Sequence, residues 1–322
     1  MEAVIGNVFF FDWEVSFMEW FQNSVGAVPA AILTQLSLFG EQMVMIAVMG
    51  LFYWCLDKEK GKFIGLNVIM ASLWNPMIKN IFLRRRPYMD NSGIKLLRKI
   101  DKDADIMDVY AQGYSFPSGH SASAVAVYGS LAASIKKKVF LILAIVLPLL
   151  VGISRVFVGA HYPTDVICGW ILGLFCLLVI SAGYRRIRNP AVFYGILLLV
   201  SLPGFFYCES SDFYTSYGLL LGATTGFLFE AKYVNFEGTK KPLLIILRLL
   251  GGVAIYFGLN TLLKLPFSSE LLDSGTTAAH LIRTGRYAVV IFVDIALYPM
   301  LFGRFFKKES VEAAEETEAT AE

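Results

Sequence analysis

Charge is scarce in this chain: Asp, Glu, Lys and Arg make up 17% of 322 residues, against 56% hydrophobic. That is too little polar surface for a soluble protein, although the length alone would allow two soluble domains. Histidine is scarcer still, with three residues in the whole chain. The four cysteines, Cys55, Cys168, Cys176 and Cys208, show no metal-ligand spacing. The first three fall in or beside apolar runs and read as small apolar side chains, whereas Cys208 lacks an evident disulfide partner. No acidic cluster suits a metal, and no cofactor is expected. A basic segment leading into an apolar core and cleavage site is missing, so no cleaved signal peptide is expected. No internal repeat appears, which withholds support from a transporter built of inverted repeats. No nucleic-acid partner is expected.

What the chain has instead is apolar runs of about 20 residues, long enough to cross a hydrocarbon core. They predict an all-α, polytopic transmembrane bundle of about nine spans, at 28–55, 63–83, 118–135, 138–154, 165–184, 191–207, 213–230, 243–264 and 287–305. Glu41 and Gln42, inside the first, call for an inward-facing position or a kink at Gly40. Residues 1–24 mix Phe9, Phe10, Phe11, Trp13, Phe17, Trp20 and Phe21 with Asp12, Glu14 and Glu19. Three acids argue against a span there, and the aromatics suit a segment lying at the membrane interface. The expected organisation is an interfacial segment at 1–24, a membrane core at 25–206, additional helices at 207–308 and an acidic disordered tail at 309–322.

Positive charge is distributed unevenly. Five groups of three basic residues (Lys58, Lys60 and Lys62; Lys136 to Lys138; Arg185, Arg186 and Arg188; Lys232, Lys240 and Lys241; Arg304, Lys307 and Lys308) fall on one side of the predicted membrane. The loop at 84–117 is the exception, and its acids, Asp90, Asp101, Asp103, Asp105 and Asp108, balance it. The basic side is therefore expected to be cytoplasmic. The C-terminus then lies inside and the N-terminus outside.

Against that apolar background three polar clusters stand out. Lys79 precedes Arg86-Pro87 by seven positions, Pro117-Ser118-Gly119-His120 opens an apolar run, and Ser154-Arg155 is followed by His161 and Asp165 between two more. Ionisable groups at a membrane edge are functional candidates by default, because each is expensive without a partner. The assigned topology puts all three clusters on one face, the extracytoplasmic one. Lys79, Arg86 and Arg155 supply the positive charge a phosphate needs, and guanidinium groups grip its oxygens in pairs. Ser118 and Gly119 sit where a helix begins, with free backbone N–H groups and room for close approach.

Taken in order, the clusters resemble the signature of the type 2 phosphatidic acid phosphatase superfamily: Lys-x6-Arg-Pro, Pro-Ser-Gly-His and Ser-Arg-x5-His-x3-Asp. Every position matches, and the resemblance covers roughly residues 60–185. It implies that His161 attacks phosphorus, Asp165 orients it and His120 protonates the departing alkoxide. It also implies a metal-independent phosphatase acting on a lipid phosphate such as phosphatidic acid, phosphatidylglycerophosphate, a sphingoid-base phosphate or a polyprenyl diphosphate. The layout is also similar to glucose-6-phosphatases, and a non-enzymatic phospholipid carrier would need the cations but not the histidine pair. Outside the signature, Arg84 and Arg85 read as interfacial anchors, and His280 as a solvated residue.

Overall fold

The computed structural model describes residues 6–99 and 103–303, and all of its regular elements are helical. Helix α1 (Asp12–Ser24) buries Glu14 and Met18, one turn apart, and leaves Trp13 and Trp20 exposed. Helices α2 (Ala27–Leu36) and α3 (Gln42–Gly50) occupy the first expected span. With their flanking turns they form two arms, Ala27–Gly40 and Gln42–Leu56, bent by 45° at Glu41, whose carboxylate pairs with Arg98. Helix α4 (Lys58–Phe82) starts where Asp57 accepts the Lys60 N–H at 3.1 Å and stops at Leu83, whose left-handed backbone (φ 51°) returns its N–H to the Lys79 carbonyl.

Two four-residue helices, α5 (Pro87–Asp90) and α6 (Val109–Gln112), punctuate the loop that follows. Helices α7 (Gly119–Ile135), α8 (Lys138–Phe157) and α9 (Pro163–Arg186) then run back and forth, α7 and α9 packing on α4 and α8 on α7. Helix α10 (Pro190–Ser201), α11 (Ser211–Phe229), α12 (Pro242–Leu262), the short α13 (Ser269–Leu272) and α14 (Thr277–Phe292) complete the chain, and α14 continues through a π-helical turn at Val293–Leu297 to Gly303.

Nine spans are not supported. Among the described residues four helices are long and apolar enough to cross a membrane: α8, α9, α12 and Thr277–Gly303, or five if the bent pair counts as one. The reason lies in which helices are wrapped by others. Helix α7 has 17 residues, about 26 Å at 1.5 Å each, and it carries buried Ser121, Ser123 and Ser130. Helix α4 buries Lys62, Asn67 and Asn75, and α11 buries Ser216 and Thr224. A helix covered by protein needs no lipid-compatible surface, whereas the four apolar ones have at most 39% of their most apolar stretch buried. Counting apolar runs cannot separate the two kinds. The acidic tail expected at 309–322 lies outside the described residues.

One continuous core joins α4 (Leu73), α7 (Ala122), α9 (Cys176), α10 (Leu197) and α11 (Leu220). Close packing of α7 on α9 depends on Gly169: a Cβ there would stand 2.5 Å from the Ser118 carbonyl oxygen. All four cysteines are free. This packing gathers the end of α4, the start of α7 and the α8–α9 junction at one end of the bundle.

Candidate active site

The three cations expected to hold phosphate arrive from different directions and in different states. Arg86, 3% exposed, is anchored by backbone: Nε donates to the carbonyls of Gln112 (3.0 Å) and Gly113 (2.8 Å), Nη2 to Gln112 (2.7 Å) and Nη1 to Ala160 (2.9 Å), which leaves one N–H on each terminal nitrogen for an anion. Arg155, in the last turn of α8, is equally buried, yet its side chain makes no hydrogen bond or ion pair among the described residues. Lys79, in the last turn of α4, is also without a side-chain partner there. Arg155 is buried and Lys79 half-buried, and a cation withdrawn from water without a counter-ion is held at a penalty, so these two positions are prepared for an anion.

His161 sits in the turn between α8 and α9, 2% exposed. Its Nδ1 lies 3.5 Å from Asp165 Oδ2 and its Nε2 lies 3.4 Å from Arg86 Nη1. Nδ1 makes no hydrogen bond, but it faces the carboxylate, and the tautomer with its proton there leaves the Nε2 lone pair beside the cations. Burial first, then the charges of Arg86, Arg155 and Lys79, push this imidazole well below its ordinary range, which keeps it neutral. Asp165, at the third position of α9, is fully buried; Oδ2 accepts the Tyr162 N–H at 2.8 Å and Oδ1 accepts from Arg84 at 2.7 Å.

The second cluster is tied to the other two through its backbone. Ser118 N–H donates to the Asp165 carbonyl (2.9 Å), and Asn75 of α4 donates to the Pro117 carbonyl (3.0 Å). Ser118 Oγ caps α7 by accepting from the Ser121 N–H (3.4 Å) and hydroxyl (2.9 Å), which leaves its own proton to give. Gly119 stands at the first position of α7, where the N–H has no intrahelical partner. His120 is half-buried one residue later, with Arg155, Lys79, Arg86 and Arg98 as the surrounding charges. All eight residues expected from the sequence therefore lie at one end of the bundle, with direct bonds linking the first cluster to the third and the second to the third.

Two residues outside the signature sit differently from what their sequence context predicts. Arg84 is not an interfacial anchor: it is 2% exposed and bridges Asp165 (2.7 Å) to Glu14 (3.0 Å), itself fully buried. An acid within an aromatic-rich segment was the available signal, since burial obliges it to find a cation. His280 is not solvated either: it is 9% exposed and stacks on Tyr214 with ring centroids 4.0 Å apart. Among the described residues no group of three or more His, Cys, Asp or Glu is placed to hold a metal ion.

Comparison with known proteins follows the same residues. The family model described as PAP2 superfamily matches residues 61–188, and a second, described as PAP2 superfamily phosphatase, transmembrane extension, matches 214–310. Phosphatidylglycerophosphatase B of Bacillus subtilis (strain 168) is 39% identical over 90 residues, 25% of this chain and 44% of that protein. The undecaprenyl-diphosphatase of Sulfolobus acidocaldarius is 31% identical over 143 residues, 44% of this chain and 64% of that protein. The matches thus span less than two thirds of either relative's own length. The crystal structure of a transmembrane PAP2 type phosphatidylglycerolphosphate phosphatase from Bacillus subtilis aligns with a TM-score of 0.41 and 26% identity, covering 56% of this chain and 90% of that one. With both family models matched and the signature intact, the chain belongs to the PAP2 superfamily, as a multi-pass integral membrane protein that carries the superfamily's transmembrane extension.

Proposed function

We propose that this protein is a membrane phosphatase that hydrolyses the phosphomonoester or diphosphate of a lipid through a phosphohistidine. The observation that carries the reading is the His161 imidazole placed beside Arg86, with two further cations, the buried Arg155 and the half-buried Lys79, that have no side-chain partner among the described residues. A phosphate occupying that space gains charge-assisted bonds from all three, and from Ser118 and the Gly119 N–H at the start of α7.

His161 Nε2 then attacks phosphorus as the P–O bond to the lipid breaks. His120 gives its proton to the departing alkoxide, or to the phosphate that leaves a diphosphate. Asp165 holds the Nδ1 proton and stabilises the positive charge that develops on the ring. In the second half, water attacks phosphorus and the P–N bond breaks. His120 takes the water's proton, and phosphate departs with His161 neutral again. Charge on the transferring group is met by fixed cations throughout.

The substrate class rests on the membrane setting of the site and on relatives named for phosphatidylglycerophosphate and undecaprenyl diphosphate. The charge distribution supports an extracytoplasmic site on a phosphatase core at 25–206, with α1 at the interface, its exposed Trp13 and Trp20 suited to headgroup depth. Phosphate release by purified protein, in EDTA, across phosphatidic acid, phosphatidylglycerophosphate, a sphingoid phosphate, undecaprenyl diphosphate and glucose 6-phosphate tests the reading. Turnover of one or more lipids is expected. Preference for the sugar phosphate moves the protein to the glucose-6-phosphatase type. Binding without turnover makes it a carrier.

A further inference from the structure

Asp165 has two tasks that compete. It must offer an oxygen to His161 Nδ1, and it must neutralise Arg84, a buried guanidinium enclosed by the rings of Phe9 (4.7 Å) and Tyr162 (4.0 Å). An arginine with one carboxylate partner tends to take it bidentately, through both oxygens. Here it does not. Arg84 Nη1 goes to Asp165 Oδ1 and to Thr164 Oγ1 (2.8 Å), while Nη2 goes to Glu14 Oε2. Oδ2 of Asp165 remains for the Tyr162 N–H and His161.

We propose that Glu14 of the N-terminal helix is a positioning residue for His161, acting through Arg84 and Asp165. The inference rests on the phosphatase reading above. Glu14 is fully buried, and its carboxylate accepts four hydrogen bonds, from the Phe11 N–H (3.0 Å), Arg84 Nη2 (3.0 Å), the Thr164 N–H (2.9 Å) and the Thr164 hydroxyl (2.7 Å). Two of these hold the first turn of α9, the element that carries Asp165, and they satisfy an N–H that has no intrahelical acceptor. The Arg84 bond takes one edge of the guanidinium fork. Glu14 therefore does two things: it supplies the second negative charge that Arg84 needs, and it fixes the backbone from which Asp165 reaches His161. It touches neither His161 nor any of the three phosphate-binding cations.

The experiment compares wild type with Glu14→Gln, Glu14→Asp, Asp165→Asn and the double variant Glu14→Gln/Asp165→Asn. Glu19→Gln, on the same helix but outside this network, is the control. Glu14→Gln keeps the shape and removes the charge. It should lower kcat about 10–100-fold, the loss typical when a group that orients a functional histidine's partner is removed. KM should stay within about twofold, because substrate binding is left to other residues. Glu14→Asp should fall between the two, and Glu19→Gln should match wild type. Adding Glu14→Gln to Asp165→Asn should produce little further loss, because the effect passes through Asp165. Equal fold losses in both backgrounds, or an unchanged kcat in Glu14→Gln, overturns the proposal. If Glu14→Gln does not fold, Glu14→Asp decides by the same comparison.

A second readout separates this proposal from the reaction itself. The protein has three histidines, so ring ¹⁵N resonances can be assigned by substitution. The groups around His161 are Asp165, Arg86, Arg155, Lys79 and His120. Removing the Glu14 charge leaves Arg84 less balanced, so His161 should titrate at lower pH in Glu14→Gln, with His280 unmoved. If wild type hydrolyses no lipid phosphate, the phosphatase reading fails and the His161 titration still judges Glu14. An unshifted His161 overturns the inference alone.

Discussion

Arg155 and Arg86 carry the same expectation from sequence, and the structure gives them opposite consequences for stability. In Arg155→Met a long, unbranched apolar side chain replaces a guanidinium that is 3% exposed and has no side-chain partner among the described residues. The charges around it are Arg86 and Arg98, which repel it, and Glu41, which is engaged with Arg98. Removing an unpaired buried charge relieves a desolvation penalty, and replacing buried ionic groups by apolar ones of similar volume stabilises by about 1–4 kcal/mol in favourable cases. Arg155→Met should therefore melt at or above the wild-type temperature.

Arg86→Met should do the reverse. It strips four hydrogen bonds from the carbonyls of Gln112, Gly113 and Ala160, at about 1–3 kcal/mol for each buried acceptor left unmet. Both variants should lose activity. Two charge-assisted bonds to phosphate at roughly 1.5–3 kcal/mol each correspond to about 10²–10⁴-fold in kcat/KM. The assay is thermal unfolding in detergent with and without orthovanadate, beside turnover. Wild type should be stabilised by vanadate, and Arg155→Met should melt high and respond little. A drop in melting temperature for Arg155→Met as large as that of Arg86→Met would refute the reasoning, because it would mean that Arg155 is paired without phosphate.

The two histidines should fail differently. His161→Ala should abolish turnover and any trapped phosphoenzyme, whereas His120→Ala should lose about 10²–10⁴-fold on a lipid phosphate and distinctly less on a nitrophenyl phosphate, whose leaving group needs no proton. Equal losses of His120→Ala on both substrates, under conditions where chemistry limits the rate, would count against the general-acid role. Gly169→Val should push α7 from α9, because even its Cβ meets the Ser118 carbonyl at 2.5 Å; overpacking of about 1–3 kcal/mol and a disproportionate loss of activity are expected. Gly195→Ala, with nothing within 4 Å of the added carbon, should be neutral or stabilising by about 0.5–1 kcal/mol in chemical denaturation. An impermeant thiol reagent applied to intact cells should label cysteine at the exposed Met107 and not at the exposed Arg188; the opposite pattern inverts the proposed orientation.

Composition and the spacing of three short motifs were enough to read a helical membrane protein, its family and the eight residues now found at one end of the bundle. Motif residues are legible because their types are unusual in an apolar chain: Lys79, Arg86, Arg155 and the two histidines have no reason to be there except a partner. The kink in the first span was legible for a related reason, since Glu41 cannot continue an apolar run without one. The number of spans was not. Helices α4, α7 and α11 look like spans in one dimension, but their Ser, Thr and Asn residues face other helices, and only packing tells a protein-covered helix from a lipid-covered one. The same holds at the site. That Arg84 is buried between Glu14 and Asp165, and that Arg155 lacks a side-chain partner among the described residues while Arg86 is anchored by backbone, depends on contacts between residues 70 to 81 positions apart and on which carbonyls a loop turns inward. Residue type is local and survives in the sequence. The pairing of buried charge is a property of three-dimensional neighbours, and only the tertiary structure decided it.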